Sequence, residues 1–378
     1  MRVGLNATCF DDRPSGANQR FRHLYGALIR RNPAISFVLY EPADQRIGTW
    51  FADSPNVIVR PTPLPSSGRW ARFRAGLGYW RSALAADRLD LFETFTLPLI
   101  GAPCRTILTI HDLRPLQADR PLIERLIARP VLADAFARAD HIITVSQAMR
   151  AELMAFRADT PVSVVYNGVT KPVATPASAT LPPGLPPQFM LAVGHLEARK
   201  NLELAIDAVA VLRDAGAPRP LVIAGNDAGS LTALRARIAR LGLEPLVRII
   251  QHADDATIAA LYAACHLVVV PSRYEGFGIA VIEAMAAGRP VVTSDTPVFR
   301  EVSEGQGAYM PLAGKAAAAA VIERAWSDPI ERQRLMAYGA KRVGDFAFDH
   351  LADQIAALYA EIMAASPARA TAGAWNRS

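Results

Sequence analysis

The sequence predicts two doubly wound α/β domains that face each other across a cleft. Three observations lead there. The chain has 378 residues, too many for one ordinary hydrophobic core and suited to two domains. Short β-rich apolar runs alternate with helix-length amphipathic stretches, the pattern of parallel sheets covered on both faces. The alternation halts at a proline-rich stretch, residues 171–187, and restarts cleanly beyond it.

In the first domain, residues 1–170, strands are predicted at 3–7, 36–40, 57–59, 89–92, 105–110, 141–145 and 163–166. Helices are predicted at 19–31, 70–86, 121–138 and 147–156. Residues 171–187 are the linker. The second domain, 188–345, has strands at 189–193, 221–224, 247–251, 267–270 and 291–293. Between them lie helices at 202–215, 231–241, 257–264 and 278–287. Beyond residue 314 the pattern is helical only, and residues 367–378 read as a frayed tail.

The composition, 51% hydrophobic and 20% charged, is globular rather than disordered. No apolar run reaches the ~18 residues that span a bilayer. The first residues open as a strand without the marks of a secretory leader, so a cytoplasmic protein is expected. Cys9, Cys104 and Cys265 are scattered and form neither a disulfide framework nor a metal pair. The net charge of +6 sits in the first half: residues 1–170 hold 21 arginines, no lysine and 15 acids. An excess of this kind attracts anionic partners. No nucleic-acid motif accompanies it, so no nucleic-acid partner is expected.

The strongest motif is EGFGIAVIEAMAAGRPVV, residues 275–292, which follows the apolar strand LVVVPS. Gly276 and Gly278 free the backbone at a strand-to-helix turn, and the N–H groups at the helix start suit a diphosphate. Glu275 and Glu283 sit eight residues apart, about 12 Å along a helix. That suits two hydroxyl-bearing ends of one molecule bridged by phosphates, not an acid/base pair on one bond. A second motif, AVGHLEARKNL at 192–202, puts Arg199 and Lys200 at a strand's carboxyl end, placed to neutralise a diphosphate leaving group. A third, TIHDL at 109–113, puts His111 and Asp112 directly after an apolar strand; a helix-capping role is the structural alternative. A fourth and weaker one is PSGANQRFR at 14–22, where Gly16 would let backbone approach a phosphate. The absence of GxGxxG counts against a dinucleotide-binding domain.

Together these residues resemble the retaining GT-B glycosyltransferases of family GT4, also called glycosyltransferase group 1. Glu275 and Glu283 match the EX7E motif, Arg199–Lys200–Asn201 the RKN loop, and His111–Asp112 the HD motif. Gly16 matches the glycine-bearing first turn, and YNGV at 166–169 the segment that closes the first domain. The resemblance implies roles. Glu283 would hold the ribose of a nucleotide diphosphate sugar. Glu275, Phe277, Gly278 and Ile279 would meet its sugar and phosphate. Arg199 and Lys200 would stabilise the departing diphosphate in place of a metal, so no cofactor is expected. His111 would lie near the reacting centre, and Gly16 would line the phosphate. It also implies that a helix within 346–366 returns to the first domain. The first loop departs from the pattern of relatives, which often carry Arg-Tyr soon after the glycine. The general look leans toward bacterial mannosyltransferases that use GDP-mannose.

The acceptor is expected to be a saccharide or a polyprenyl-linked saccharide of cell-surface polysaccharide synthesis. Residues 69–81, RWARFRAGLGYWR, interleave arginines with aromatic rings, and Arg69, Trp70, Arg72, Arg74, Trp80 and Arg81 are candidates for an anionic membrane surface. A plain amphipathic helix with a solvated basic face is the alternative. Two other functions fit the same cleft: a nucleotide-sugar epimerase and a non-catalytic nucleotide-sugar-binding subunit.

Overall fold

The computed structural model describes residues 1–12, 15–76, 78–117, 119–157, 159–170 and 181–365, without the side chains of Arg69, Trp70 and Phe73. The predicted tail, 367–378, and most of the predicted linker lie outside these residues. The chain divides into two units, Met1–Gly168 with Phe348–Ser378, and Val169–Ala347.

The first unit is built on seven parallel strands: β1 (Arg2–Asn6), β2 (Ser36–Glu41), β3 (Val57–Pro61), β4 (Leu91–Thr94), β5 (Arg105–Ile110), β6 (His141–Thr144) and β7 (Val162–Val164). Their order is β3-β2-β1-β4-β5-β6-β7. The order reverses between β1 and β4, which places a ligand crevice beyond the carboxyl ends of those strands. Val3, Leu5, Phe37, Val38 and Leu39 are all fully buried. Both faces of the sheet are covered, so these strands read as continuous apolar runs.

The helix predicted at 19–31 begins at Gly16, and a π turn, Phe21–Tyr25, separates Gly16–Arg20 from Gly26–Arg31. A π turn takes in one extra residue and rotates the faces on either side of it. Arg20, Phe21, Leu24 and Tyr25 are buried there. The single helix expected at 70–86 is two, Arg69–Gly76 and Tyr79–Asp87. Gly78 has φ +77°, a left-handed conformation that cannot continue a right-handed helix. The strand expected at 89–92 lies two residues later, which draws Glu93 and Thr94 into the sheet. Helix Phe348–Ala364 packs Leu351, Ile355, Leu358, Tyr359 and Ile362 into the core of this unit.

The second unit has six parallel strands: β8 (Met190–Val193), β9 (Leu221–Ala224), β10 (Val247–Ile250), β11 (Leu267–Val270), β12 (Val291–Ser294) and β13 (Ala308–Met310). Their order is β10-β9-β8-β11-β12-β13, with the reversal between β8 and β11. Strand β13 was not foreseen; its three residues at the sheet edge are too few to show a period. Helix Leu202–Asp214 follows β8 and buries Leu204, Ala205, Ile206, Ala208, Val209 and Leu212. One face of this sheet packs with helices Leu202–Asp214, Leu231–Arg240 and Lys315–Ser327 in one apolar core.

Candidate active site

In the second unit, the loops after β8 and β11 meet at the point where the strand order reverses. Gly194 ends β8 with φ +138°, and a side chain there would press on Lys200, whose Cε and Nζ would lie 3.1 and 3.2 Å from a Cβ. The absent side chain lets Lys200 lie back across the strand end. A short 3₁₀ turn, Ala198–Lys200, then presents both cations, and Asn201 takes the left-handed conformation at φ +52°. Asn201 is buried and its Nδ2 donates to the Leu312 carbonyl at 3.2 Å, which anchors the loop.

The loop after β11 supplies Glu275. Lys200 Nζ donates to its Oε1 at 2.7 Å, and Arg199 Nη1 donates to its Oε2 at 2.6 Å. Ser272 Oγ donates to Oε1 at 2.8 Å, and Arg199 Nη1 also reaches the Tyr274 carbonyl at 3.1 Å. Glu197 faces Arg199 Nε at 2.7 Å. The Glu275 side chain is only 10% exposed. Burial alone would push its carboxyl up, but Lys200 and Arg199, with hydrogen bonds from Lys200 and Ser272, outweigh it and hold the pKa at about 2. It is therefore a fixed anion that pins two cations at the strand end.

Gly278 has φ +97° at the start of helix Ile279–Ala286, and a Cβ there would lie 2.5 Å from the Phe299 ring. The helix thus begins tightly against helix Pro297–Val302, and the Val281 N–H of its first turn donates back to the Gly278 carbonyl at 2.9 Å. The Phe277 side chain is 2% exposed and packs edge-on against Phe346, which turns the ring away from the loop surface. Glu283 differs from Glu275. It accepts a hydrogen bond from Tyr262 Oη at 2.8 Å, and burial raises its pKa above the ordinary range. The Tyr262 hydrogen bond and then the Lys200 charge oppose that rise without overcoming it.

Of the predicted residues, Arg199, Lys200 and Glu275 are joined directly, with Gly278 and Ile279 on the helix that follows the same loop. Sequence reasoning missed Glu197, Ser272 and Tyr262. Ser272 had a signal, a hydroxyl three residues before Glu275; Tyr262 lies on another helix and had none.

In the first unit, Gly16 is the exposed first residue of its helix, behind Ser15, whose Oγ accepts from the Asn18 N–H at 3.1 Å. His111 follows β5, as expected. Asp112 Oδ1 accepts from the Arg114 N–H at 3.0 Å, a local side-chain turn just before the 3₁₀ turn Arg114–Leu116. Burial, aided by the Arg20 charge, lowers the His111 pKa to about 3. Arg20, unforeseen, is 2% exposed and donates to the Tyr166 carbonyl at 2.5 Å and to Asn167 Oδ1 at 2.9 Å. His111 is therefore a neutral imidazole at ordinary pH. A depressed pKa gives stability that is complete above about 6.5 and lost as pH falls toward about 3. An NMR titration is expected to show no His111 transition near pH 6.5; one found there would contradict this environment.

The membrane candidates need correction. Trp80 is 8% exposed, stacks edge-on against Tyr40 at 5.4 Å and packs near Phe92, so it belongs to the core. Its indole fills the gap between the sheet and the helix that starts at Tyr79, and this removes it from any surface. Arg72 donates to Thr8 Oγ1 at 3.3 Å, while Arg74 and Arg81 are exposed. The side chains of Arg69 and Trp70 lie outside the described residues.

Comparison with known proteins agrees with this layout. A family model described as Glycosyltransferase Family 4 matches residues 14–171, and one described as Glycosyl transferases group 1 matches residues 179–342. The chain is similar to the O-antigen chain mannosyltransferase RfbU of Salmonella typhimurium, at 28% identity over 67% of this chain and 72% of that protein. It is 31% identical to the lipopolysaccharide core biosynthesis mannosyltransferase LpsB of Rhizobium meliloti, over 60% of this chain and 67% of that one. Among solved structures, sucrose-phosphate synthase from Thermosynechococcus elongatus superposes with a TM-score of 0.77 at 22% identity, covering 97% of this chain and all of that one. Anabaena HepE in complex with UDP and glucose superposes at 0.71 and 20% identity, covering 96% and 100%. The two sheets have the GT-B fold. From its motifs, its two matched halves and these relatives, the chain belongs to family 4 of the group 1 glycosyltransferases, and it is a glycosyltransferase.

Proposed function

We propose that the protein transfers a hexose, with retention, from a nucleotide diphosphate sugar, GDP-mannose in the first instance. The acceptor is a saccharide or polyprenyl-linked saccharide used in cell-surface polysaccharide synthesis, met at the cytoplasmic face of the membrane. The observation that carries the reading is the cluster in which Glu275 holds Arg199 and Lys200 at the reversal point of the second sheet, beside a helix N-terminus. Two preorganised cations and a helix start are what a departing diphosphate requires. Arg199 and Lys200 take the leaving charge without a metal, Glu283 receives the ribose hydroxyls, and Glu275 with the backbone after it meets the donor sugar. The neutral His111 serves as a hydrogen-bonding group toward the sugar rather than as a cation. Mannose is favoured by the names of RfbU and LpsB, whereas HepE was solved with UDP, so the base is the open choice. No helix of the described residues is long and apolar enough to cross a membrane.

Titration calorimetry with GDP and UDP, separately and without added metal, tests the donor site. One nucleotide should bind, and Glu283→Ala should weaken it roughly 10- to 100-fold, the effect of losing hydrogen bonds to a carboxylate. Binding of neither nucleotide by folded protein would sink the reading.

A further inference from the structure

Helix Leu122–Arg138 has two apolar faces. Its second half turns Leu132, Ala135 and Phe136 into the first unit, where each is at most 2% exposed. Its first two turns carry Leu122, Ile123, Leu126 and Ile127, which are 65%, 64%, 60% and 51% exposed. Apart from Ile330, no other large hydrophobic side chain among the described residues exceeds 40%. At about 100° per residue, the four aliphatic side chains fall within an arc of roughly 140°, nearly opposite the buried set. A surface helix ordinarily turns its apolar stripe to the core and its polar side to water. Here the outward face is apolar as well, and it is contiguous, the form an interaction surface takes.

The charges bordering this face say what it fits. Arg125 and Arg129 lie along one margin of the arc, and neither is ion-paired among the described residues; the Arg129 guanidinium rests over the Phe156 ring at 5.8 Å. The one acid of the first two turns, Glu124, is held by Arg120 at 2.6 Å. The patch is therefore aliphatic with a net positive border, inside a half of the chain that holds the whole basic excess. Its place in the fold matters too. The helix connects β5 to β6, so its first turns lie at the carboxyl edge of the sheet, the edge at which His111 follows β5.

We propose that the outer face of residues 122–129 docks on an anionic lipid bilayer. Leu122, Ile123, Leu126 and Ile127 enter the boundary between headgroups and acyl chains, and Arg125 and Arg129 meet lipid phosphates. The surface deepens the reading of a lipid-linked acceptor and rests on it only for its use: docking there brings the acceptor edge of the first unit to the membrane.

Flotation of the full chain with phosphatidylcholine–phosphatidylglycerol vesicles tests it. The wild type is expected to float. A variant combining Leu122→Ser, Ile123→Ser, Leu126→Ser and Ile127→Ser is expected to partition at least about tenfold less. Because these side chains are solvent-exposed, the variant should keep its nucleotide binding in calorimetry, so that loss of flotation is separable from loss of fold or donor site. Arg125→Gln with Arg129→Gln is expected to weaken binding at low salt and to reduce its salt dependence. A wild type that stays in the aqueous phase overturns the proposal, as does a combined variant that floats as well as the wild type. A wild-type dimer that the combined variant converts to monomer, by light scattering, also overturns it and assigns the face to a second copy.

Discussion

Replacing Lys200 by alanine is expected to lower kcat by about 10²- to 10³-fold, with a smaller effect on donor binding. The charge to be stabilised appears on the diphosphate as the sugar leaves, so a fixed cation acts more on the transition state than on the bound donor. Lys200 is fixed by its 2.7 Å bond to Glu275 and by the bare backbone of Gly194 beneath it. Steady-state kinetics on the variant give the split between kcat and KM. Equal loss of donor binding with kcat unchanged would assign Lys200 to uniform binding and remove it from the reaction. A second readout comes from acid stability. Glu275, held at about 2, contributes stability that is complete above the ordinary carboxylate value of 4.5 and is lost as pH falls through about 2. Lys200 is the largest influence holding that value down, so in Lys200→Ala the loss on acidification should begin at a higher pH.

Glu93→Leu is expected to destabilise the first unit by roughly 3–5 kcal/mol, because it strands buried hydroxyls. Glu93 is fully buried on β4 and accepts from Tyr25 Oη and Thr109 Oγ1, each at 2.5 Å, and from Tyr359 Oη. These donors come from the π turn, from β5 and from the C-terminal helix, so one carboxyl ties three elements together. Without it three buried hydroxyls lose their acceptor, each worth about 1–3 kcal/mol. In a unit of this size the melting temperature should drop by about 10 °C. Glu93→Gln, which keeps an acceptor oxygen, should lose much less. Burial raises the Glu93 pKa, so its contribution is complete below the ordinary carboxylate range and declines as pH rises through the raised value; Glu93→Gln should flatten that slope. A Glu93→Leu protein that melts with the wild type would show that the network carries no net stability.

Glu93 also marks where sequence reading stopped. The apolar pattern predicts a strand at 89–92, two residues before the observed β4. The hydroxyls of Tyr25, 68 residues before it, Thr109, 16 after it, and Tyr359, 266 after it, make the Glu93 position tolerable. Trp80 failed in the opposite direction. Alternating arginines and rings described an interfacial helix, but Tyr40 and Phe92 form a pocket that takes the indole inside. The period of residues 121–138 predicts a helix there but gives no sign of which side meets the core, so the outward apolar face at 122–127 is visible only in the fold.

The donor site was legible for a physical reason. Phosphate recognition uses backbone N–H groups, glycines and adjacent cations, and these fall within short stretches of chain that carry their own conformational demands. The sequence by itself determined two parallel α/β units, the glycine turn before Glu283 and the paired cations of the RKN loop. The tertiary structure decided what long-range contacts decide. It joined Glu275 to Arg199 and Lys200 across some 75 residues, set the two carboxyls of one helix motif in opposite electrostatic environments, and buried Trp80. Local geometry is written in neighbouring residues, whereas burial and charge state depend on which distant side chains arrive beside them.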